Sequence, residues 1–124
     1  MLLHDLAFTA SQEPALSAIG GRNSVLACAE QSRAAIIAAL SARSPGSTLV
    51  VATPTGTAAQ QLHDDIVQFL GADNALMFPA WETLPFERVS PSVETMGRRL
   101  EVLWRLRSEN PPKVVLGSVR ALLQ

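Results

Sequence analysis

The sequence predicts an α/β domain built around a parallel sheet of about four strands that is flanked by helices. Short apolar runs rich in β-branched residues alternate with longer segments of helical periodicity, a pattern typical of strands joined by crossover helices. The runs are apolar throughout rather than alternating, as expected where helices cover both faces of a parallel sheet. The predicted strands are residues 25–29, 48–52, 75–78 and 113–117.

Two helices are predicted between the first three of these runs. The first is an alanine-rich segment from Ala34 to Leu40, which follows the first run after a short loop. The second carries one apolar stripe, formed by Ala59, Leu62, Ile66 and Leu70. Gly71 follows that stripe directly, where the left-handed cap of a helix is expected.

A third helix is predicted from about Ser92 to Arg107, before the last run. Its apolar face, which we expect to lie against the sheet, consists of Val93, Met96, Leu100, Leu103 and Trp104. The i,i+4 pairs Glu94–Arg98 and Glu101–Arg105 are expected on its solvated side.

The two ends of the chain carry weaker signals. Ser11 is predicted to cap a short helix that Gly20 ends, so residues 1–20 are interpreted as an extension and residues 21–124 as the main domain. Ser118 opens another helix, which the sequence interrupts at Gln124. We therefore expect the chain to be a piece of a longer, multidomain protein.

The composition is that of a globular domain and excludes several classes of function. The chain has 124 residues, 48% of them hydrophobic, and its 10 basic residues nearly cancel its 11 acidic ones. No overall field therefore attracts nucleic acid or a membrane surface, and no apolar run is long enough for a membrane helix. A cytoplasmic protein is expected. The single cysteine, Cys28, is expected to be a buried structural thiol, and no metal-ligand spacing is present.

A phosphate-binding loop is expected after the first strand of a nucleotide-binding α/β domain, but the sequence there lacks its chemistry. Such a loop needs glycines, a lysine for the phosphates and a hydroxyl for magnesium. Here an acidic residue opens the loop, no glycine is present, and two alanines take the positions of the lysine and the hydroxyl. The degenerate loop comprises Glu30, Gln31, Ser32, Arg33, Ala34 and Ala35. We therefore predict no catalytic residue, no cofactor and no metal in this segment.

Three further groups of residues leave alternatives open. The hydroxyl-rich turn from Thr53 to Thr57 could contact a DNA backbone, but a turn with a helix cap is favoured because no basic residue accompanies it. The arginines at 98, 99, 105 and 107 could form a basic patch, although the intervening glutamates favour a solvated helix face. Trp81, Pro85 and Phe86 are predicted either to contact another domain or to cover the sheet edge.

Two stretches of the sequence resemble known repair proteins. Residues 48–54 and 58–62 are similar to the first ATPase-like domain of the excision-repair subunit UvrB. Residues 78–91, FPAWETLPFERVSP, followed by GRRL at 97–100, resemble the N-terminal module of the bacterial transcription-repair coupling factors (Mfd). The resemblance covers residues 20–124 and implies a RecA/helicase-like fold of the UvrB domain 1a type, in which the phosphate loop is degenerate.

The resemblance also implies a function for the longer protein. Such coupling factors are ATP-driven DNA translocases that displace stalled RNA polymerase and recruit UvrA through the domain that follows this one. ATP and magnesium would then belong to a downstream motor, as would the contacts with DNA and RNA polymerase. The present segment is expected to be nonenzymatic, to support the recruiting domain and to pack within an autoinhibited assembly.

Two other interpretations remain open on the sequence. A nucleotide-binding ATPase or helicase domain of UvrB type keeps the fold and requires that the loop still hold ATP. A Rossmann-like enzyme requires a glycine fingerprint after the first strand and an acidic residue after the second. The segment Ala52–Thr53–Pro54 supplies no such acid.

Overall fold

The computed structural model describes residues 5–6, 9–10, 14, 23–81, 88 and 92–124. We number the elements from the first helix whose bounds are described. They are a 3₁₀ turn (Glu30–Ser32), α1 (Arg33–Arg43), β1 (Leu49–Thr53), α2 (Gly56–Leu70), β2 (Ala75–Met77), α3 (Val93–Leu106), β3 (Val114–Ser118) and α4 (Val119–Leu123). The helix predicted after Ser11 lies outside the described residues, apart from the helical Pro14. None of the described helices combines the length and apolarity needed to cross a bilayer.

The three strands form a parallel sheet in the order β1-β3-β2, which confirms the predicted α/β class. Leu49 and Ala75 both pair with Val114, so the last strand of the sequence lies in the middle of the sheet. Every residue of β3 is buried. The ladder continues one residue beyond β2, where the Phe78 amide donates to the Leu116 carbonyl at 2.7 Å.

The predicted strand at residues 25–29 is wrong, so the sheet has three described strands rather than about four. These residues are extended but belong to no ladder, and the Val25 side chain is 101% exposed. An apolar run becomes a strand only where its amide and carbonyl groups meet a complementary edge. β1 pairs with β3 on one side, and no described strand occupies its other side.

The expectation that every strand is covered on both faces is also wrong for β1. Along β1 half-buried and exposed residues alternate, and Val50 is 64% exposed. Only β3, which has a neighbour on each side, matches the pattern of a strand enclosed on both faces.

The hydrophobic core lies between the sheet and the pair of helices α1 and α2. Its fully buried members are Ala34, Ile66, Ala75, Val114 and Leu116. α1 and α2 pack against each other, and α2 also contacts all three strands. Burying an aliphatic side chain of this kind contributes about 1.5–3 kcal/mol, so this layer supplies most of the described stability.

Both ends of α2 confirm the sequence prediction. The Thr55 hydroxyl accepts a hydrogen bond from the Ala58 amide at 3.1 Å and caps the first turn. At the other end Gly71 has φ 85°, which glycine adopts without strain. The Asn74 amide group donates to the Leu70 carbonyl at 2.9 Å and satisfies one of the last carbonyls of the helix.

The helix α3 forms where it was predicted, and Ser92 caps it, but the apolar face points the wrong way. Its buried residues are Thr95, Arg99 and Val102. The predicted core face is exposed instead, with fractions of 84% for Val93, 43% for Met96, 59% for Leu100, 48% for Leu103 and 69% for Trp104. α3 makes only sparse contacts with the other described helices and strands. Its orientation is therefore set by the buried polar side, above all by Arg99.

The i,i+4 ion pairs on α3 are half confirmed. Arg98 pairs with Glu94 at 2.5 Å, and both side chains are exposed. Arg105 instead donates to the Asp73 carbonyl at 2.8 Å, so it links α3 to the loop after α2 rather than to Glu101. An exposed ion pair contributes little, and a carbonyl within reach competes successfully for such an arginine.

Candidate functional site

A cleft of about 530 Å³ opens beside the start of α1, at the position where a nucleotide is held in related folds. Its walls come from the extended segment before the 3₁₀ turn, from α1, from the end of β1 and from the start of α2. The residues that line it are Ser24, Leu26, Cys28, Glu30, Arg33, Ile36, Ile37, Leu40, Val51, Ala52, Thr53, Pro54, Ala58, Gln61, Leu62 and Asp65. Its lining is mainly apolar.

The degenerate loop adopts a 3₁₀ turn instead of a phosphate cradle. The Ser32 amide donates to the Ala29 carbonyl at 2.9 Å, and the Arg33 amide donates to the Glu30 carbonyl. A phosphate loop binds its anion with free amide groups at the start of the helix. Here two of those amides are already satisfied by the protein itself.

The two alanines of the loop lie where neither phosphate nor metal chemistry could be added easily. Ala34 is only 3% exposed and belongs to the hydrophobic core, while Ala35 is half-buried. Of the six loop residues, only Glu30 and Arg33 line the cleft. The structure therefore brings the acidic residue to the cleft and turns the presumed lysine position into the core.

The charges around the cleft do not suit a nucleotide with its magnesium ion. Among its described lining residues the acids are Glu30 and Asp65, and the single cation is Arg33. Triphosphate binding requires a net positive environment and a hydroxyl or carboxylate that holds the metal beside the phosphates. The residues present do not fit ATP and magnesium, and we derive no catalytic step for this cleft.

Cys28 is exposed, so the expectation of a buried structural thiol is wrong. It lines the cleft together with Ser24 and Leu26, the alternate residues of the extended segment. The error has the same cause as the missing strand, because residues 25–29 were expected inside the sheet. The position makes Cys28 a reporter of whether the cleft is occupied.

The turn from Thr53 to Thr57 is a helix cap, as favoured from the sequence. The Thr53 hydroxyl donates to the Thr55 carbonyl at 2.7 Å, while the Thr55 hydroxyl accepts from the Ala58 amide. Both hydroxyls are thus used locally. Thr53 is buried, and it contributes to the cleft only through its edge.

His63 joins α2 to β2, a role that the sequence did not reveal. Its Nε2 lies 3.0 Å from the Ala75 carbonyl and its Nδ1 lies 3.2 Å from the Asp64 carboxylate. The hydrogen bond from Gln60 lowers the pKa of the Asp64 carboxyl group, and the contact with His63 lowers it further. Asp64 is exposed, so this shift marks local hydrogen bonding and not a catalytic acid.

A second cluster of polar contacts surrounds Arg99, which the sequence placed on a solvated face. Arg99 is only 7% exposed, and burial lowers the pKa of its guanidinium from the ordinary value. The guanidinium donates to the carbonyls of Pro79 at 2.7 Å, Ala121 at 3.3 Å and Gln124 at 3.1 Å. The basic-patch alternative therefore fails for this residue, which is structural.

Trp81 belongs to this cluster. The Arg99 guanidinium lies 4.1 Å from the centre of the Phe78 ring and 4.7 Å from that of Trp81, as in a cation–π contact. The Trp81 amide also donates to the Gln124 side chain at 2.8 Å. Trp81 is half-buried by these contacts within the chain, while Pro85 and Phe86 lie outside the described residues. A contact of these three residues with another domain stays a prediction.

Comparison with known proteins gives one consistent result. No family model matches the chain. The chain is 40% identical over 111 residues to proteins named transcription-repair-coupling factor from Mycobacterium bovis and Mycobacterium tuberculosis. It is 30% identical over 74 residues to the protein of that name from Rickettsia bellii. The mycobacterial matches cover 85% of this chain but only 9% of each relative's length.

Proposed function

Because this chain belongs to the transcription-repair-coupling factor family, spanning 9% of the length of its mycobacterial members, we propose that it is a nonenzymatic scaffold within such a factor. The proposed longer protein is an ATP-driven DNA translocase, expected in the cytoplasm, that displaces stalled RNA polymerase and recruits UvrA. ATP, magnesium, DNA and RNA polymerase are assigned to its downstream domains. The present segment supports the neighbouring UvrA-recruiting domain and packs within the autoinhibited form.

One observation carries the nonenzymatic part of this proposal. The position that would hold the phosphate-binding lysine is Ala34, whose side chain lies in the core with Ile66 and Leu116. A cleft whose gripping residue is replaced by a core alanine cannot stabilise the charge of a transferred phosphoryl group. The shape of the site is kept while the chemistry of phosphate transfer is absent.

The scaffold role is supported by where the exposed apolar surface lies. Val25, Val50 and the outward face of α3 are all exposed large hydrophobic residues. Apolar surface of this extent on a small domain is typical of a piece that contacts other protein surfaces. This favours a part that is packed within a larger assembly over an independent enzyme.

A thiol-labelling experiment tests the absence of nucleotide binding. We expect the rate of Cys28 alkylation by a maleimide to be unchanged by millimolar ATP with magnesium, because Cys28 lines the cleft and ATP does not enter it. The measurement is the labelling rate followed by mass spectrometry. A small apolar maleimide and a bulky one provide an internal comparison of access to the cleft.

The opposite result would favour the UvrB-type alternative. Magnesium-dependent protection of Cys28, together with micromolar binding of a fluorescent ATP analogue, would show a nucleotide in the cleft. The Cys28→Ser variant is the matched control for unspecific labelling, since the chain contains no other cysteine.

A chimera tests the assignment to the coupling factor. We expect the Mycobacterium tuberculosis relative to keep repair of the transcribed strand and ATP hydrolysis when this chain replaces its homologous segment. Both rates should stay within about twofold, because a scaffold contributes packing and no transition-state contact. The measurements are strand-specific repair in cells and ATP turnover of the purified chimera. A folded chimera that hydrolyses ATP but no longer directs repair would contradict the proposed support of the recruiting domain.

A further inference from the structure

Three stripes of residues run along α3, each with the spacing i, i+4, i+7 and i+11 that defines one side of a helix. The inward stripe contains the buried Thr95, Arg99 and Val102. The outward stripe contains Val93, Gly97, Leu100 and Trp104, and Met96 and Leu103 extend its edge. All of these large apolar side chains are at least 43% exposed. A capped and well-anchored helix thus presents its most apolar side to solvent.

The third stripe is a charged flank beside the outward stripe. It consists of Glu94, Arg98, Glu101 and Arg105, so the sign of the charge alternates along the helix. Read from either end, the sequence of signs is opposite. A flank of this kind is complementary to itself only when two helices run antiparallel, whereas parallel copies would place like charges side by side.

We propose that the outward stripe of α3 is a self-association surface that binds α3 of a second copy of this chain in antiparallel orientation. A twofold axis between Arg99 and Leu100 places Glu94 level with Arg105 of the second copy, and Arg98 level with its Glu101. The same axis places Met96 level with Leu103 of the second copy. Apolar residues then meet in the centre, and opposite charges meet along one edge.

The charge of this surface favours a protein helix over nucleic acid as its occupant. The flank carries two acids and two bases, so it has no net charge with which to attract phosphates. The exposed Trp104 and Leu100 supply the kind of apolar anchor that dominates helix–helix interfaces. Gly97 lies between them on the same side and lets a second helix approach closely.

The length of the helix sets the expected strength. At 1.5 Å per residue, a helix of this length spans about 20 Å, which is short for a coiled-coil contact. The interface would lie at the small end of stable protein contacts, so we expect a dissociation constant on the order of 10–100 µM. The pairing should therefore depend on concentration and be weakened by high salt.

Exchange of the flanking charges tests the pairing and its direction together. One variant carries Arg98→Glu and Arg105→Glu, which makes the flank acidic; the other carries Glu94→Arg and Glu101→Arg, which makes it basic. Sedimentation velocity of the unchanged chain is expected to show a monomer–dimer equilibrium at about 100 µM. Each variant alone should be monomeric, because like charges meet, and an equimolar mixture should form the heterodimer.

Controls separate this pairing from unspecific association. Arg43→Glu with Arg120→Glu changes the net charge as the acidic variant does, but on exposed residues outside α3, and should leave the dimer intact. Trp104→Ser should abolish the dimer in a chain that stays folded by circular dichroism. A monomer at every concentration, or single variants that associate as the unchanged chain does, would overturn the proposal. Heterodimers that form no better than either variant alone would overturn the antiparallel arrangement.

Discussion

Replacing Arg99 by alanine is expected to lower the free energy of unfolding by about 3 kcal/mol, because the substitution leaves buried carbonyl groups without a donor. The guanidinium bonds to three carbonyls and lies against the rings of Phe78 and Trp81. Charged hydrogen bonds contribute about 1.5–3 kcal/mol each, offset by the cost of burying the charge. Chemical denaturation followed by tryptophan fluorescence measures the change.

Two neighbouring substitutions sharpen this test. Arg98→Ala is the matched control, since Arg98 is exposed and pairs only with Glu94, and it should cost less than about 0.5 kcal/mol. Arg99→Lys keeps the charge but loses the planar fork, so it should recover only part of the stability. Equal stability of the Arg99→Ala variant and the unchanged chain would show that the cluster does not hold α3 and α4 in place.

Replacing Ala34 by lysine is expected to destabilise the fold by more than about 3 kcal/mol without creating a nucleotide site. Ala34 is 3% exposed and packs with Ile66, Ala75 and Leu116. A lysine there must either bury its ammonium group in apolar surroundings or push α1 away from the sheet. Thermal unfolding should show the loss as a fall of about 10 °C or more.

The same helix supplies the comparison. Ala42→Lys lies on the exposed side of α1 and should change the stability by less than about 0.5 kcal/mol. Adding Ala35→Thr to Ala34→Lys should give no ATP hydrolysis, because the glycines and free amides of a phosphate loop are still absent. Measurable turnover by that double variant, or a fully stable Ala34→Lys chain, would contradict the proposed scaffold.

The helices were largely predictable because their signals are local. The Thr55 cap, the Gly71 stop and the Ser92 cap bound α2 and α3 within one or two residues of the predicted limits. Capping groups act on amides of the same turn, so the sequence around them contains all the necessary information. Three of the four predicted strands formed for a related reason, since each is a β-branched run bounded by polar or turn residues.

The failures concern partners that lie far away in the sequence. Residues 25–29 have the composition of a strand, but whether they form one depends on an available sheet edge. The outward stripe of α3 has the periodicity of a core face, but periodicity does not state which surface the face meets. Arg99 was placed on a solvated face for the same reason, because its three carbonyl partners belong to segments 20 to 25 residues away.

The candidate site shows the same division. The loss of glycine, lysine and hydroxyl is visible in residues 30–35 alone, since a phosphate loop is a local motif. That Ala34 lies in the core, that two loop amides are satisfied internally and that Cys28 faces the cleft could be seen only in the folded chain.

The sequence by itself determined the parallel α/β class, the positions of the helices and the absence of phosphate-binding groups, because these depend on propensity, capping and residue chemistry within a few turns. The tertiary structure alone decided which apolar surfaces are buried, why Arg99 is inside and Trp104 outside, and where the sheet ends. Burial is a competition among all surfaces of the chain for a limited interior, and three carbonyl groups around one guanidinium outweighed the more apolar side of α3.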